Sequence, residues 1–153
     1  ASALVKRYAD EPGSIWIREI TNPHPQNAVL LAEITLAEVS AALAAKHRAT
    51  GGITRRQMER VLSRFLQDCD ESFLLLPVDR PVIDLAVELA QNHRLRGYDA
   101  VQLATVLVAG ETLKSRGLAP PVFVANDEDL LTAAGTEGLT VKNPQEHSSF
   151  VGD

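Results

Sequence analysis

Short apolar runs set between longer stretches of helical periodicity constrain this chain more than any other feature. Residues 28–34, 73–78, 122–125 and 139–141 are such runs. Each is flanked on at least one side by Pro, Gly, Asn or Asp, and each reads as a buried strand. Between them, Leu36, Val39 and Leu43, then Met58, Val61, Leu62, Phe65 and Leu66, then Val101, Leu103, Ala104, Leu107 and Val108 recur at helical spacing. Strands alternating with helices predict an α/β domain with a parallel sheet covered on both faces by helices. The 153 residues fit one such domain, without internal repeat or linker. A 45% hydrophobic content is too high for a disordered chain. One cysteine excludes an internal disulfide framework. The apolar runs fall far short of the ~20 residues of a membrane span. No charged n-region leads an apolar signal core. The expectation is a soluble, cytoplasmic chain that engages no membrane. A formal charge of −5 argues against holding nucleic acid by bulk attraction alone.

Local signals set the expected boundaries. Residues 1–5 read as the tail of a strand whose beginning lies upstream. Ser14 is the expected N-cap of a short helix carrying Ile15, Trp16, Ile17 and Ile20, which Asn22-Pro23-His24-Pro25 ends. Thr35 has Glu38 three residues on, a capping-box spacing. Thr50-Gly51-Gly52 breaks one helix and Thr54 caps the next. His24, His47, His93 and His147 share no metal-ligand spacing, and Cys69 reads as a packed thiol. No Gly-rich phosphate loop is present.

Ligands of parallel sheets collect beyond the carboxyl ends of the strands. Three acids stand there: Glu38 in the helix after residues 28–34, Asp99 in the first turn after Gly97-Tyr98, and Asp127 directly after residues 122–125. Any one is accounted for as a helix-terminal acid, which the helix dipole favours by about 0.3–1 kcal/mol. Three at one sheet edge repel one another unless a cation sits among them. The cation such oxygens favour is Mg²⁺ or Mn²⁺.

The contexts of these acids are Ile34-Thr35-Leu36-Ala37-Glu38-Val39, Arg96-Gly97-Tyr98-Asp99-Ala100-Val101-Gln102-Leu103-Ala104 and Val122-Phe123-Val124-Ala125-Asn126-Asp127-Glu128-Asp129. With Ala1-Ser2-Ala3-Leu4-Val5-Lys6-Arg7-Tyr8, they make the chain resemble the PIN-domain family, and within it the VapC toxins of toxin–antitoxin pairs. The resemblance implies a three-layer sandwich with a central parallel sheet flanked by helices. It implies a metal-dependent endoribonuclease with Mg²⁺ or Mn²⁺ as cofactor, RNA as substrate, a cognate antitoxin as partner and a homodimer as assembly. The family's second, third and fourth acids fall on Glu38, Asp99 and Asp127. Its first acid falls one position upstream of Ala1, so either the chain continues upstream or a ligand has been lost. If it is lost, the same fold serves as an RNA- or protein-binding module. Ser2, Asn126 and Asp129 are implied as site-adjacent. Ala125 stands where relatives carry Ser or Thr. A receiver-type aspartate pocket is disfavoured because no lysine stands near residues 125–127.

Substrate contact must be local in an acidic chain. Lys46, Arg48, Arg55, Arg56, Arg60 and Arg64 face only Glu59 over residues 43–64, and Arg94 and Arg96 precede Asp99. These are candidates for phosphate contact, with a solvated helix face as the alternative. Residues 1–70 carry net +1 and residues 71–153 net −6. In toxin relatives the antitoxin groove lies on the same helices, so Trp16, Leu62 and Phe65 are candidates for a partner or for the core.

Overall fold

The computed structural model describes residues 2–23 and 27–147; His24 lies outside them. The chain runs α1 (Ser2–Val5), α2 (Ser14–Thr21), β1 (Val29–Ala32), α3 (Ile34–Arg48), α4 (Arg55–Glu71), β2 (Phe73–Leu76), α5 (Arg80–Asn92), α6 (Gly97–Ser115), β3 (Val122–Val124), α7 (Glu128–Thr136) and β4 (Thr140–Lys142), then a 3₁₀ turn at Pro144–His147. All pairing is parallel. β1 pairs with β2, Val29 opposite Phe73, and β3 pairs with β4, Val122 opposite Thr140. Parallel neighbours need crossover connections, which α3–α4 and α7 supply. The expected α/β architecture is therefore present. Among the described residues the strands form two separate two-stranded sheets, one in each half of the molecule.

Each half has its own apolar core. Leu4, Val5, Val39, Leu43, Phe65 and Phe73 join α1, α3 and α4 to β2. Val82, Leu89, Leu103, Ala104, Leu130 and Leu131 join α5, α6 and α7. Phe65, a candidate for partner contact, is fully buried in the first core, and Leu62 packs against it. Cys69 is buried and free, and burial, then Asp70 and Asp68, pushes its thiol up to about 11. It is the inert packed thiol expected.

Three local expectations are corrected. Ser2–Val5 forms a helical turn, not the tail of a strand. Ala3, Leu4 and Val5 are consecutive and all buried, which a strand covered on both faces and a helical turn set in the core both achieve; packing on α3 goes with the turn. Ser14 is the first residue of α2 and not its cap; Gly13, at φ 86°, holds that position. The Ser14 hydroxyl instead accepts from the Glu11 N–H and donates to the Ala9 carbonyl, both at 2.7 Å. Gly13 is needed twice over, because a Cβ there would also lie 2.4 Å from the Pro144 carbonyl oxygen. That close approach seats α2 on the terminal 3₁₀ turn, where Trp16 stacks on His147 at 4.2 Å. Thr35 lies inside α3, with Glu33 at the N-cap.

The Thr54 expectation holds. Its side chain accepts from the Gln57 N–H, and the Gln57 side chain accepts from the Thr54 N–H, closing a capping box. Thr54→Ala is expected to cost about 1 kcal/mol, read as a lower urea midpoint at unchanged m-value.

Candidate active site

Three separate segments deliver the three acids. Asp99 is the third residue of α6, half-buried, in the first turn where the helix dipole favours a negative charge. Asp127 follows β3 and caps α7, its Oδ1 accepting the Leu130 N–H at 2.8 Å. One carboxylate oxygen is thus spent on the backbone, which fixes the side chain. Glu38 lies one turn into α3, half-buried. It belongs to the opposite half of the molecule from Asp99 and Asp127.

The Asp99 carboxyl is raised above its ordinary range. Burial is the leading cause, followed by the charges of Asp127 and Glu38, with Arg96 opposing. The three acids are therefore electrostatic neighbours although 89 positions separate Glu38 from Asp127. Asp99 and Asp127 open into a cleft of about 310 Å³, also lined by His93, Arg94, Leu95, Arg96 and Asp129. This cleft sits beyond the carboxyl end of β3, as an α/β fold predicts.

A hydrogen-bonded bridge joins the halves beside this cleft. The Gln102 amide nitrogen donates to Thr35 Oγ1 at 2.9 Å and to Glu38 Oε2 at 2.5 Å. Thr35 is 2% exposed. Sequence reasoning missed Gln102 and misread Thr35 as a cap. The available signal was a polar residue one turn after Asp99, in a helix otherwise rich in buried Ala and Leu. The opposing Thr35 and Glu38 share the same one-turn spacing.

The donor set suits a hard divalent cation. Asp99 and Asp127 offer carboxylate oxygens, and the buried Oδ1 of neighbouring Asn126 has no hydrogen-bond partner. Among the described residues no three His, Cys, Asp or Glu side chains converge into a ready-made metal cage. Mg²⁺ does not require one, since it is usually held by one or two carboxylates together with waters and substrate phosphates.

The family model of the PIN domain matches residues 1–135. The chain belongs to the PIN-domain family. Its fold is similar to that of a toxin–antitoxin complex from Klebsiella pneumoniae, at 22% identity and TM-score 0.54, with 94% of this chain and 92% of that one covered. It is also similar to FitAcB from Neisseria gonorrhoeae, at 18% identity and TM-score 0.57, with 94% of each chain covered. No curated protein matches the sequence. In this PIN domain Asp99 and Asp127 share the cleft, and Glu38 adjoins from α3.

The remaining site residues divide. Arg94 reaches Asp129 at 3.6 Å, so these two candidates engage each other at the rim of the cleft. Arg96 lines the cleft and acts on Asp99. Ser2 is exposed at the start of α1. Of the basic residues on α3 and α4, Lys46 pairs with Glu11, Arg55 with Glu59 at 2.8 Å and Arg64 with Asp68 at 3.3 Å. Arg48, Arg56 and Arg60 are exposed. The histidines are dispersed: His93 bonds Glu137 at 2.6 Å, and His47 Nδ1 lies 2.9 Å from the Ile53 carbonyl. Among the described residues no helix is long and apolar enough to cross a membrane.

Proposed function

We propose that this PIN domain is a metal-dependent endoribonuclease, the toxin of a VapBC-type toxin–antitoxin pair, acting in the cytoplasm as a homodimer. The observation that carries the reading is the crowding of Asp99 against Asp127 and Glu38, which keeps the Asp99 carboxyl above its ordinary range. Carboxylates gathered at this cost to their own ionisation suit a site completed by a cation. PIN domains are generally nucleases. The fold-level likeness to toxin–antitoxin complexes supports the toxin assignment and an antitoxin partner.

Asp99 and Asp127 would hold Mg²⁺ or Mn²⁺, with Asn126 Oδ1 beside them. When bound, such an ion activates water and offsets charge on a phosphodiester. The protein's own groups do the rest. Asp127 is held rigid by its bond to the α7 backbone, so one oxygen faces the cleft in a fixed direction. Glu38, anchored through Oε2, keeps Oε1 for a proton from attacking water or for the ion. Arg96 at the rim offers a cation to an incoming phosphate. Arg48, Arg56 and Arg60 extend positive charge along α3 and α4 for further phosphates.

Purified protein is expected to cleave structured RNA with Mn²⁺ or Mg²⁺ and to stop when EDTA is added. Intact RNA under every divalent ion tried overturns the reading. The alternative is a PIN fold that binds RNA or protein without hydrolysis. Calorimetric titration with Mn²⁺ separates the two, because only the nuclease requires uptake of the ion.

A further inference from the structure

The Gln102 amide is a side-chain link between the two halves of the molecule beside the acid cleft. On α6 it stands one turn after Asp99, and on α3 its partners Thr35 and Glu38 stand one turn apart. Residues three apart share a helix face, so the Asp99–Gln102 face of α6 meets the Thr35–Glu38 face of α3. A primary amide nitrogen carries two protons. Here one goes to the buried Thr35 hydroxyl at 2.9 Å and the other to Glu38 Oε2 at 2.5 Å. The short second bond is that of a neutral donor to a carboxylate, stronger than a neutral pair.

We infer that Gln102 is a positioning residue, which aims the Glu38 carboxylate at the site that Asp99 and Asp127 share. The inference rests on the nuclease reading above. Glu38 is a flexible side chain on a helix of one core, whereas Asp99 and Asp127 belong to the other and Asp127 is fixed by its bond to the Leu130 N–H. Without a tether, Glu38 rotamers pointing to solvent relieve its repulsion with Asp99. Gln102 opposes that relief. It is rooted on the same helix as Asp99, so it transmits the register of α6 directly to the third acid. Thr35 holds the amide in turn: its hydroxyl, being buried, has no water to exchange for the Gln102 donor. The amide plane is then fixed at both protons and the Glu38 head at one oxygen, leaving Oε1 for the chemistry. Outer groups that orient ligands in this way commonly change metal affinity or activity by about 10–100-fold when removed.

The test compares Gln102→Met, which keeps the volume and removes both donors, with Glu38→Gln and the double variant. Two quantities are read on each folded protein: Mn²⁺ affinity by electron paramagnetic resonance, and kcat and KM on RNA. Gln102→Met is expected to weaken Mn²⁺ binding and lower kcat, each about 10-fold or more, with KM within about twofold. In the Glu38→Gln background the same substitution is expected to change neither, because its effect passes through Glu38. Gln102→His, which retains a ring N–H donor, is expected to recover part of both. Should Gln102→Met match the wild type in Mn²⁺ affinity and kcat, or lower them as much in the Glu38→Gln background, the positioning role is overturned while the nuclease reading stands. A wild type that binds no Mn²⁺ and cleaves no RNA overturns both. A drop in melting temperature alone, with affinity and kcat preserved, marks Gln102 as a packing residue and also overturns the inference.

Discussion

Asp99→Asn is expected to lose about 100-fold or more of the Mn²⁺-dependent RNA cleavage while making the metal-free protein more stable. The two effects have one origin. Burial, Asp127 and Glu38 all raise the Asp99 carboxyl above its ordinary range. An acid whose folded-state pKa exceeds its unfolded value binds its proton more tightly in the native protein. Stability therefore falls as pH rises from about 3.9, the unfolded value, through the raised native value. Above that window the whole penalty is present. The asparagine has no charge to desolvate or repel, so its melting temperature in metal-free buffer should exceed the wild type's at pH 7. The gap should shrink as pH is lowered toward 4. Mn²⁺ should reverse the order, because only the carboxylate gains from the cation and a ligand of the native state stabilises it by mass action. On the proposed reading Asp99 is a direct oxygen ligand, so the activity loss exceeds the 10–100-fold typical of an outer one. Circular-dichroism melts with and without Mn²⁺, alongside cleavage rates, check both halves. Equal cleavage by the two proteins would remove Asp99 from the mechanism. A lower metal-free melting temperature in the variant would contradict the repulsion argument.

Asp68→Ala, away from the cleft, is expected to be strongly destabilising. The Asp68 side chain is 8% exposed and sits at the hub of a charged network. Oδ2 accepts Arg7 Nε at 3.0 Å and the Tyr8 hydroxyl at 2.7 Å, while Oδ1 faces Arg64 at 3.3 Å. Arg7 is 9% exposed and also donates to Thr21 Oγ1 at 2.9 Å. This network ties the segment after α1 to α2 and α4. Burial alone would raise the Asp68 carboxyl. The hydrogen bonds from Tyr8 and Arg7 and the charges of Arg7 and Arg64 outweigh it and hold the group below its ordinary range. Removing the carboxylate leaves a buried guanidinium without its counter-charge and a Tyr8 hydroxyl without its acceptor. Breaking such a pair costs about 3–5 kcal/mol. For a chain of this size that is roughly 6–20 °C in melting temperature. Tyr8→Phe, which loses one hydrogen bond, should cost only about 1 kcal/mol. The pH dependence has the opposite sign to that of Asp99. A lowered native pKa contributes stability above about pH 3.9 that is lost as pH falls through the native value. Urea midpoints should therefore fall more steeply with acid in the wild type than in Asp68→Ala. A loss under 1 kcal/mol would show that Arg7 finds another partner.

Glu38, Asp99 and Asp127 were legible because each stands at or near the start of a helix, Glu38 and Asp127 after a strand and Asp99 after Gly97-Tyr98, where position alone marks it. The Thr54 cap, the Gly51-Gly52 break and the four strands were legible for a related reason: turn chemistry and apolar periodicity act over three or four residues. Where two local solutions compete, the sequence misleads. Thr35 and Glu38 have the spacing of a capping box, but Glu33 holds the N-cap and both side chains turn to Gln102. Residues 3–5 are Ala-Leu-Val, an apolar run that suits a buried strand and a buried helical turn equally well. Packing against α3 selects the turn. The Arg7–Asp68–Tyr8 network spans some sixty positions, and nothing local in either segment announces the other.

By itself the sequence determined the α/β class, the order of strands and helices from α2 onward, and which three acids stand near helix starts. Backbone sterics, capping and burial period are written in neighbouring residues. Only the tertiary structure decided that Asp99 and Asp127 share one cleft, that Arg94 answers Asp129, and that a glutamine on α6 holds a glutamate on α3. Those pairings depend on how two separately packed cores are set against each other. That placement is fixed by the summed burial of side chains distant in sequence, which no short window of sequence contains.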